Sequence, residues 1–344
     1  MAERDIVVIG ASAGGVEAVA ALIEALPADF PAAVFVVVHF PPHVTSVLPR
    51  IISRRGSMEA EHAVDGAPIE LGRVYVAPPD MHLLLETGHM RLVRGPRENN
   101  TRPAVDPLFR SAARAYGPRV IAIVLSGNLD DGSAGLIAVK KRGGLAVVQD
   151  PDDALYPGMP SSAIRNAQVD HVVPLGGMAE LLTQKAGEAV QEPETHPEAG
   201  LYGQETRIAE MDRDALESDR AGAPSAFACP ECHGVLWEVQ DGDLTRFRCR
   251  VGHAYSMENL LAGQSASLDA ALWTAYRALE ERAALTDRMA VRMRERNQPA
   301  LATRYEEQTR ETLSRAEAIR RVLTSGSQDI PVSERGPREQ NVAD

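Results

Sequence analysis

The turn Gly10-Ala-Ser12-Ala-Gly14 sets a serine among small residues in the pattern G-x-S-x-G. Such a turn lets a strand reverse sharply into a helix and leaves the hydroxyl exposed, so Ser12 is a candidate nucleophile. A serine is weak unaided and needs a base for its proton and an acid to orient that base. His39, closing the next apolar run, and Asp131, in the loop after a third run, are residues of those two types. Such a set could cleave an ester or amide. Ser12 would attack the carbonyl, His39 would take its proton and later return one to the leaving group, and Asp131 would hold the imidazole in the useful tautomer. Backbone N–H groups of Ala13 and Asn128 are candidate oxyanion donors. His43, His62 and His82 are rival bases, and Asp130 is a rival acid that can instead stay in solvent or cap the next helix.

Two plainer readings of the turn exist. One is an inert turn serine. The other is a dinucleotide site, but that needs G-x-G-x-x-G and an acidic residue about 20 positions on. Here Ser12 stands where the second glycine belongs, and the next run ends in His39.

A second set of residues carries different chemistry. The chain's 3 cysteines, Cys229, Cys232 and Cys249, fall in one short segment and are followed by His253. The order Cys-x2-Cys, then Cys-x3-His, suits tetrahedral zinc. Four protein ligands would close the site and make the zinc structural, with no cofactor needed for hydrolysis. His233 is an alternative fourth ligand, and a group of small buried thiols is the alternative to a metal site. So small a segment is expected to fold on its metal and to take no part in the chemistry.

The elements that must position these groups follow from apolar runs. Ile6–Ile9, 33–38, 73–77, 120–125, 145–148 and 172–175 read as short buried strands, and 82–85 with 90–93 as a hairpin across Glu86-Thr-Gly-His. Helical periodicity follows Ser12 and Asp131, and another helix starts near Asp106, its plausible cap. Strands alternating with helices predict an α/β fold with a doubly wound, mostly parallel sheet, whose sites form at the carboxyl ends of strands.

Composition narrows the function. The 344 residues carry a net charge of -12 and a pI near 5.3, which argues against nucleic acid as a partner. Nothing resembles a secretion signal or a membrane span, so a cytoplasmic protein without membrane insertion is expected.

Several segments in order resemble one family: Gly10-Ala-Ser-Ala-Gly-Gly15, Val38-His-Phe-Pro-Pro, Val76-Ala-Pro-Pro, Arg102-Pro-Ala-Val-Asp-Pro-Leu-Phe-Arg-Ser-Ala-Ala, Leu125-Ser-Gly-Asn-Leu-Asp-Asp131-Gly and Gly158-Met-Pro-Ser-Ser-Ala-Ile. Together they resemble the catalytic domain of the chemotaxis methylesterase family CheB, over roughly residues 4 to 184. The resemblance implies a doubly wound sheet and hydrolysis of glutamyl methyl esters on methyl-accepting chemoreceptors, with deamidation of glutamines as a further activity. It places the nucleophile on Ser12, the base on His39, the acid on Asp131 and a backbone oxyanion contact on Asn128. This chain departs from the family in having Ala13 after the nucleophile, where threonine is usual, and Asn128-Leu129 in place of Met-Gly. Because the sequence starts at the catalytic strand, the family's receiver domain is expected to be missing. The cysteine segment looks like a zinc-ribbon extension found behind some methylesterase domains.

The expected organisation is a catalytic domain over 1–186, an acidic linker over 187–224, a zinc-ribbon-like module over 225–256, a helical hairpin over 257–325 and a disordered tail over 326–344. The linker is read as solvated because ten Asp or Glu face three Arg between Gly187 and Pro224. Residues 187–344 are expected to serve targeting or regulation, with the C-terminal helices meeting a signalling partner. Two other functions remain open: a catalytically weak signalling scaffold, and a serine esterase or amidase acting on another substrate.

Overall fold

The computed structural model describes residues 2–191, 201–212, 214–215, 222–242 and 244–325. Two compact units are present, Met1–Gly263 and Gln264–Asp344. The chain opens with β1 (Ala2–Glu3), β2 (Ile6–Ala11), α1 (Gly15–Glu24), β3 (Ala33–Val38), α2 (Leu48–Arg55), β4 (Glu59–His62) and β5 (Arg73–Val76). It continues through β6 (His82–Glu86), β7 (His89–Val93), α3 (Val105–Tyr116), β8 (Val120–Val124), α4 (Ser133–Lys141), β9 (Leu145–Gln149), α5 (Gly158–Asn166), β10 (His171–Val173), α6 (Leu175–Lys185) and β11 (Ala189–Val190). After these come α7 (Leu201–Ala209), β12 (Ala223–Ala228), β13 (Val235–Asp241), β14 (Leu244–Cys249), β15 (Ala254–Ser256), α8 (Met257–Glu295) and α9 (Pro299–Thr324).

Seven strands form a parallel sheet in the order β10-β9-β8-β2-β3-β5-β4. Its central strands are apolar on both faces because both are covered. Val7, Ile9, Val34 and Val36 pack on one side with Val19, Leu22 and Ile23 of α1. Val8, Phe35, Val37 and Val124 pack on the other with Val105, Leu108 and Phe109 of α3. Each such side chain contributes about 1.5–3 kcal/mol on burial. The strand order reverses between β2 and β8, where a crevice opens at the carboxyl ends. β6 and β7 form the expected hairpin, with Glu86 opposite His89.

The acidic stretch 187–224 is not the solvated tether that its composition suggests, as far as it is described. It contributes α7, whose Glu205 is only 3% exposed. The carboxylate is buried because arginines from elsewhere surround it: Arg246 at 3.0 Å, Arg248 at 3.0 Å and Arg110 at 3.4 Å. The strands β12 to β15 make a separate four-stranded antiparallel sheet.

In the second unit, Thr286 and Thr309 hydroxyls lie 2.7 Å apart and Arg294 pairs with Glu306 at 2.6 Å. Later residues of α8 thus meet earlier residues of α9, an antiparallel hairpin with Pro299 at the start of the second helix. The tail read as disordered, 326–344, lies outside the described residues.

Candidate active site and metal centre

Register brings the first two site residues level. Ala11 of β2 pairs with Val38 of β3, so the next residues, Ser12 and His39, leave adjacent strands side by side. Gly14, with φ of 70°, turns the chain from β2 into α1. Asp131 reaches the same end from the loop after β8, the neighbour of β2 on its other side. His39 Nε2 lies 2.8 Å from Asp131 Oδ2. That contact puts a proton on Nε2 and leaves Nδ1 as the basic nitrogen. Among the described residues no hydrogen bond joins the side chains of Ser12 and His39, a bond that commonly tightens only when substrate is present.

The rival bases are placed elsewhere. His82 is fully buried, with Nε2 at 2.9 Å from Pro96 O and Nδ1 accepting from the Ala104 N–H. Both His62 nitrogens face backbone carbonyls, those of Val76 and Ser46. His43 is exposed.

Asp131 is buried and held by donors on every side. Its Oδ2 accepts from Val105 N at 2.7 Å as well as from His39. Its Oδ1 accepts from Asn99 Nδ2 at 2.9 Å, Gly132 N at 3.0 Å and Asp106 N at 3.2 Å. Burial alone would raise its pKa, but His39 and these donors outweigh burial and hold the carboxyl below its ordinary value. Asp106 next door goes the other way: burial, then the Asp131 charge, push it well above the ordinary carboxylate range. The charge of this pair therefore rests on Asp131. Asp106 does not cap its own helix as its position suggested. Its Oδ1 accepts from Gly132 N at 3.0 Å and Gly135 N at 2.7 Å, so it caps α4 and fixes the loop that carries Asp131.

Asp130 also departs from its expected place in solvent or as a helix cap. It is 4% exposed and accepts from Ser256 Oγ at 2.5 Å and from Asn259 Nδ2. Burial is the main cause that pushes its carboxyl up to about 6. Neither Asp130's partners nor Asn99 had any signal in the sequence, since Asp130 meets Ser256 and Asn259, and Asn99 is held by Ser256, all more than a hundred positions away.

The loop after β8 lies against the nucleophile. Ser12 N donates to Ser126 O at 3.0 Å and Ser126 Oγ donates to Ala13 O at 2.8 Å. Among the described residues, the N–H groups of Ala13 and Asn128 donate to no backbone acceptor. Beside His39 a cavity of about 300 Å³ is lined by Phe40, Pro42, Arg97, Asn100, Thr101 and Arg102.

Cys229, Cys232, Cys249 and His253 meet with their ligand atoms all within 4.8 Å of one another. Cys232 Sγ lies 3.5 Å from Cys249 Sγ, and His253 Nδ1 lies 3.6 Å from Cys229 Sγ and 3.5 Å from Cys249 Sγ. A zinc ion about 2.3 Å from each sulfur would set tetrahedral ligands about 3.8 Å apart, so the set fits. His253 turns its other nitrogen to Glu231 at 3.3 Å, where the carboxylate would orient the imidazole if a metal were bound. His233 is exposed and outside the cluster.

A Methanosarcina mazei protein named protein-glutamate methylesterase/protein-glutamine glutaminase 2 is 38% identical over 187 residues, 52% of this chain and 50% of its own length. A Methanosarcina acetivorans protein of the same name is 39% identical over 194 residues, 54% of each chain. The chain thus spans about half the length of these curated relatives. A Leptospira interrogans relative, 39% identical over 176 residues, is matched over 91% of its length. The crystal structure of the Thermotoga maritima CheB methylesterase catalytic domain is 35% identical, with a TM-score of 0.52 over 53% of this chain and 99% of that one. The family model described as CheB methylesterase matches residues 7–182, and the chain belongs to that family.

Proposed function

We propose that this chain is a protein-glutamate methylesterase acting on chemoreceptor-like proteins, with glutamine deamidation as a second activity. The observation that carries the reading is the convergence of Ser12, His39 and Asp131 at the carboxyl ends of neighbouring parallel strands, with His39 Nε2 at 2.8 Å from Asp131. Ser12 Oγ attacks the ester carbonyl while His39 Nδ1 takes its proton. The oxyanion that forms is met by the N–H groups of Ala13 and Asn128. As the carbonyl re-forms, methanol leaves with the proton from His39, and the glutamyl group stays on Ser12. Water, deprotonated by His39, then releases the glutamate. Asp131, held below its ordinary pKa, stays ionised and stabilises the imidazolium of each step.

The cavity beside His39, with Arg97 on its wall, suits a substrate helix that carries a free glutamate next to its methyl ester. The Cys3His set would hold a structural zinc closed to water, leaving hydrolysis to the triad. The C-terminal helices would meet a signalling partner. Among the described residues no helix is long and apolar enough to cross a membrane, and action on receptor tails would place the enzyme in the cytoplasm.

Methanol release from methylated receptor membranes tests the reading. Wild-type protein should release it and Ser12→Ala protein should not. Equal release by a well-folded Ser12→Ala variant would refute the serine mechanism.

A further inference from the structure

We propose that the cysteine ribbon is a positioning device for the catalytic acid, with Asn99 as the positioning residue between them. This inference rests on the Ser12, His39 and Asp131 reading. The ribbon's last strand, β15, begins directly after His253 and does not end at its own sheet. Ala254 N donates to Arg97 O at 3.2 Å and Asn99 N donates to Ala254 O at 2.8 Å, so residues 97–99 add to that edge of the ribbon. Ser256 N then donates to Asn99 Oδ1 at 3.0 Å. With its oxygen held there, the Asn99 amide can point only its NH2 at the acids. It donates to Asp131 Oδ1 at 2.9 Å and to Asp106 Oδ2 at 3.0 Å.

A second line of contacts runs to the neighbouring residue of the acid loop. Ser256 Oγ and Asn259 Nδ2 both donate to Asp130, and Asn100 Nδ2 donates to Asn259 O at 2.8 Å. Asn99 and Asn100, with φ of 51° and 64°, are the two central residues of a tight turn closed by Glu98 and Thr101, whose backbones exchange hydrogen bonds at 3.3 and 3.0 Å. The ribbon edge fixes the direction in which this turn presents the Asn99 amide. The hairpin between β14 and β15 holds two of the four metal ligands, Cys249 and His253, so metal loss would loosen β15 first. The Asn99 amide, no longer held by Ser256 N, would then be free to turn away, and Asp131 would lose a donor and its lateral support. Residues outside the triad that orient an active group in this way typically alter rate by about 10–100-fold.

The test uses the full chain, zinc-loaded or treated with a chelator, with metal content read by mass spectrometry. Hydrogen exchange is followed over 97–106, over 128–133 and over the strands β2 and β3. Chelation should raise exchange in the first two segments and leave the strands protected, and kcat for ester hydrolysis should fall about 10–100-fold with KM within about twofold. Asn99→Ala should lower kcat similarly with metal still bound. Chelating that variant should then lower kcat by less than about threefold more, because both changes break one connection. Full additivity of the two losses would refute the connection. So would a metal-free chain in which 97–106 and 128–133 stay protected and kcat is kept. Exchange does not depend on turnover, so a failure of the triad reading, seen as an active Ser12→Ala enzyme, is separable from a failure of this one.

Discussion

A Cβ built on Gly127 would lie 2.9 Å from Ser12 Cβ and 2.2 Å from Met159 Sδ, so the acid loop passes over the nucleophile with room for hydrogen alone. Gly127→Ala should therefore displace Ser12 or the loop. A misplacement near 1 Å lowers kcat about 10²-fold, and overpacking costs about 1–3 kcal/mol of stability. Steady-state rates and a urea melt would check both, and an alanine variant with normal turnover would show that the loop can withdraw freely.

Ser12→Ala and His39→Ala should each lower ester hydrolysis by about 10⁴-fold or more while the melting temperature stays close to wild type, since members of one triad act as a unit. The double variant should be scarcely worse than either single one. Additive losses would mean that the two residues serve separate steps.

The two acid-loop aspartates should respond differently. Asp131→Asn puts an NH2 among donors and favours the wrong imidazole tautomer, with a loss of about 10³–10⁴ in kcat. Asp130→Asn should be mild in rate and revealing in stability. Folding raises the Asp130 carboxyl to about 6 from an unfolded value of about 3.9. The native chain therefore binds the extra proton between these values, and its stability falls as pH rises from about 4 to about 6, by up to about 3 kcal/mol. The amide has no charge to bury, so Asp130→Asn should gain stability relative to wild type at pH 8 and much less at pH 5. Urea denaturation at both values measures this, and the same difference at each pH would contradict it.

The groups that position the triad were legible in the sequence to the extent that their cause was local. Gly10 to Gly14 and the β-branched runs around Ser12 and His39 announce a buried strand and a tight turn without outside help. The helix α2 and the edge strand β4 had no such signal. β4 reads Glu-Ala-Glu-His, charged and unbranched, and is held by its parallel backbone pairing with β5, beside which Arg73 meets Glu59 at 3.2 Å and Glu61 at 3.4 Å. Asn99 is still harder to find, because it lies in a polar loop whose purpose is set by Ser256 and by Asp131. Asp106 was visible as a capping residue, but the helix it caps starts 27 positions later at Ser133.

Arg110 is fully buried, donates to both oxygens of Glu98 at 2.8 Å and faces Glu205 at 3.4 Å. Burial disfavours ionised Glu98, but Arg110 and Arg248 outweigh it and hold the carboxyl below its ordinary value. Removing one member of such a set leaves charge without a partner and costs about 3–5 kcal/mol. Arg110→Met should lower the melting temperature sharply, and it should do so for the catalytic fold and the ribbon in one transition. Two separated transitions in calorimetry would show that the charges do not join them.

That set of charges draws Glu98 and Arg110 from one stretch, Glu205 from a second, and Arg246 and Arg248 from a third. A change of sign at any one of them would persist in a lineage only with a compensating change in another stretch, so the three should be inherited and altered together. Recombination that exchanged the last third of the gene with a relative lacking Arg246 and Arg248 would leave two buried glutamates sharing the single charge of Arg110.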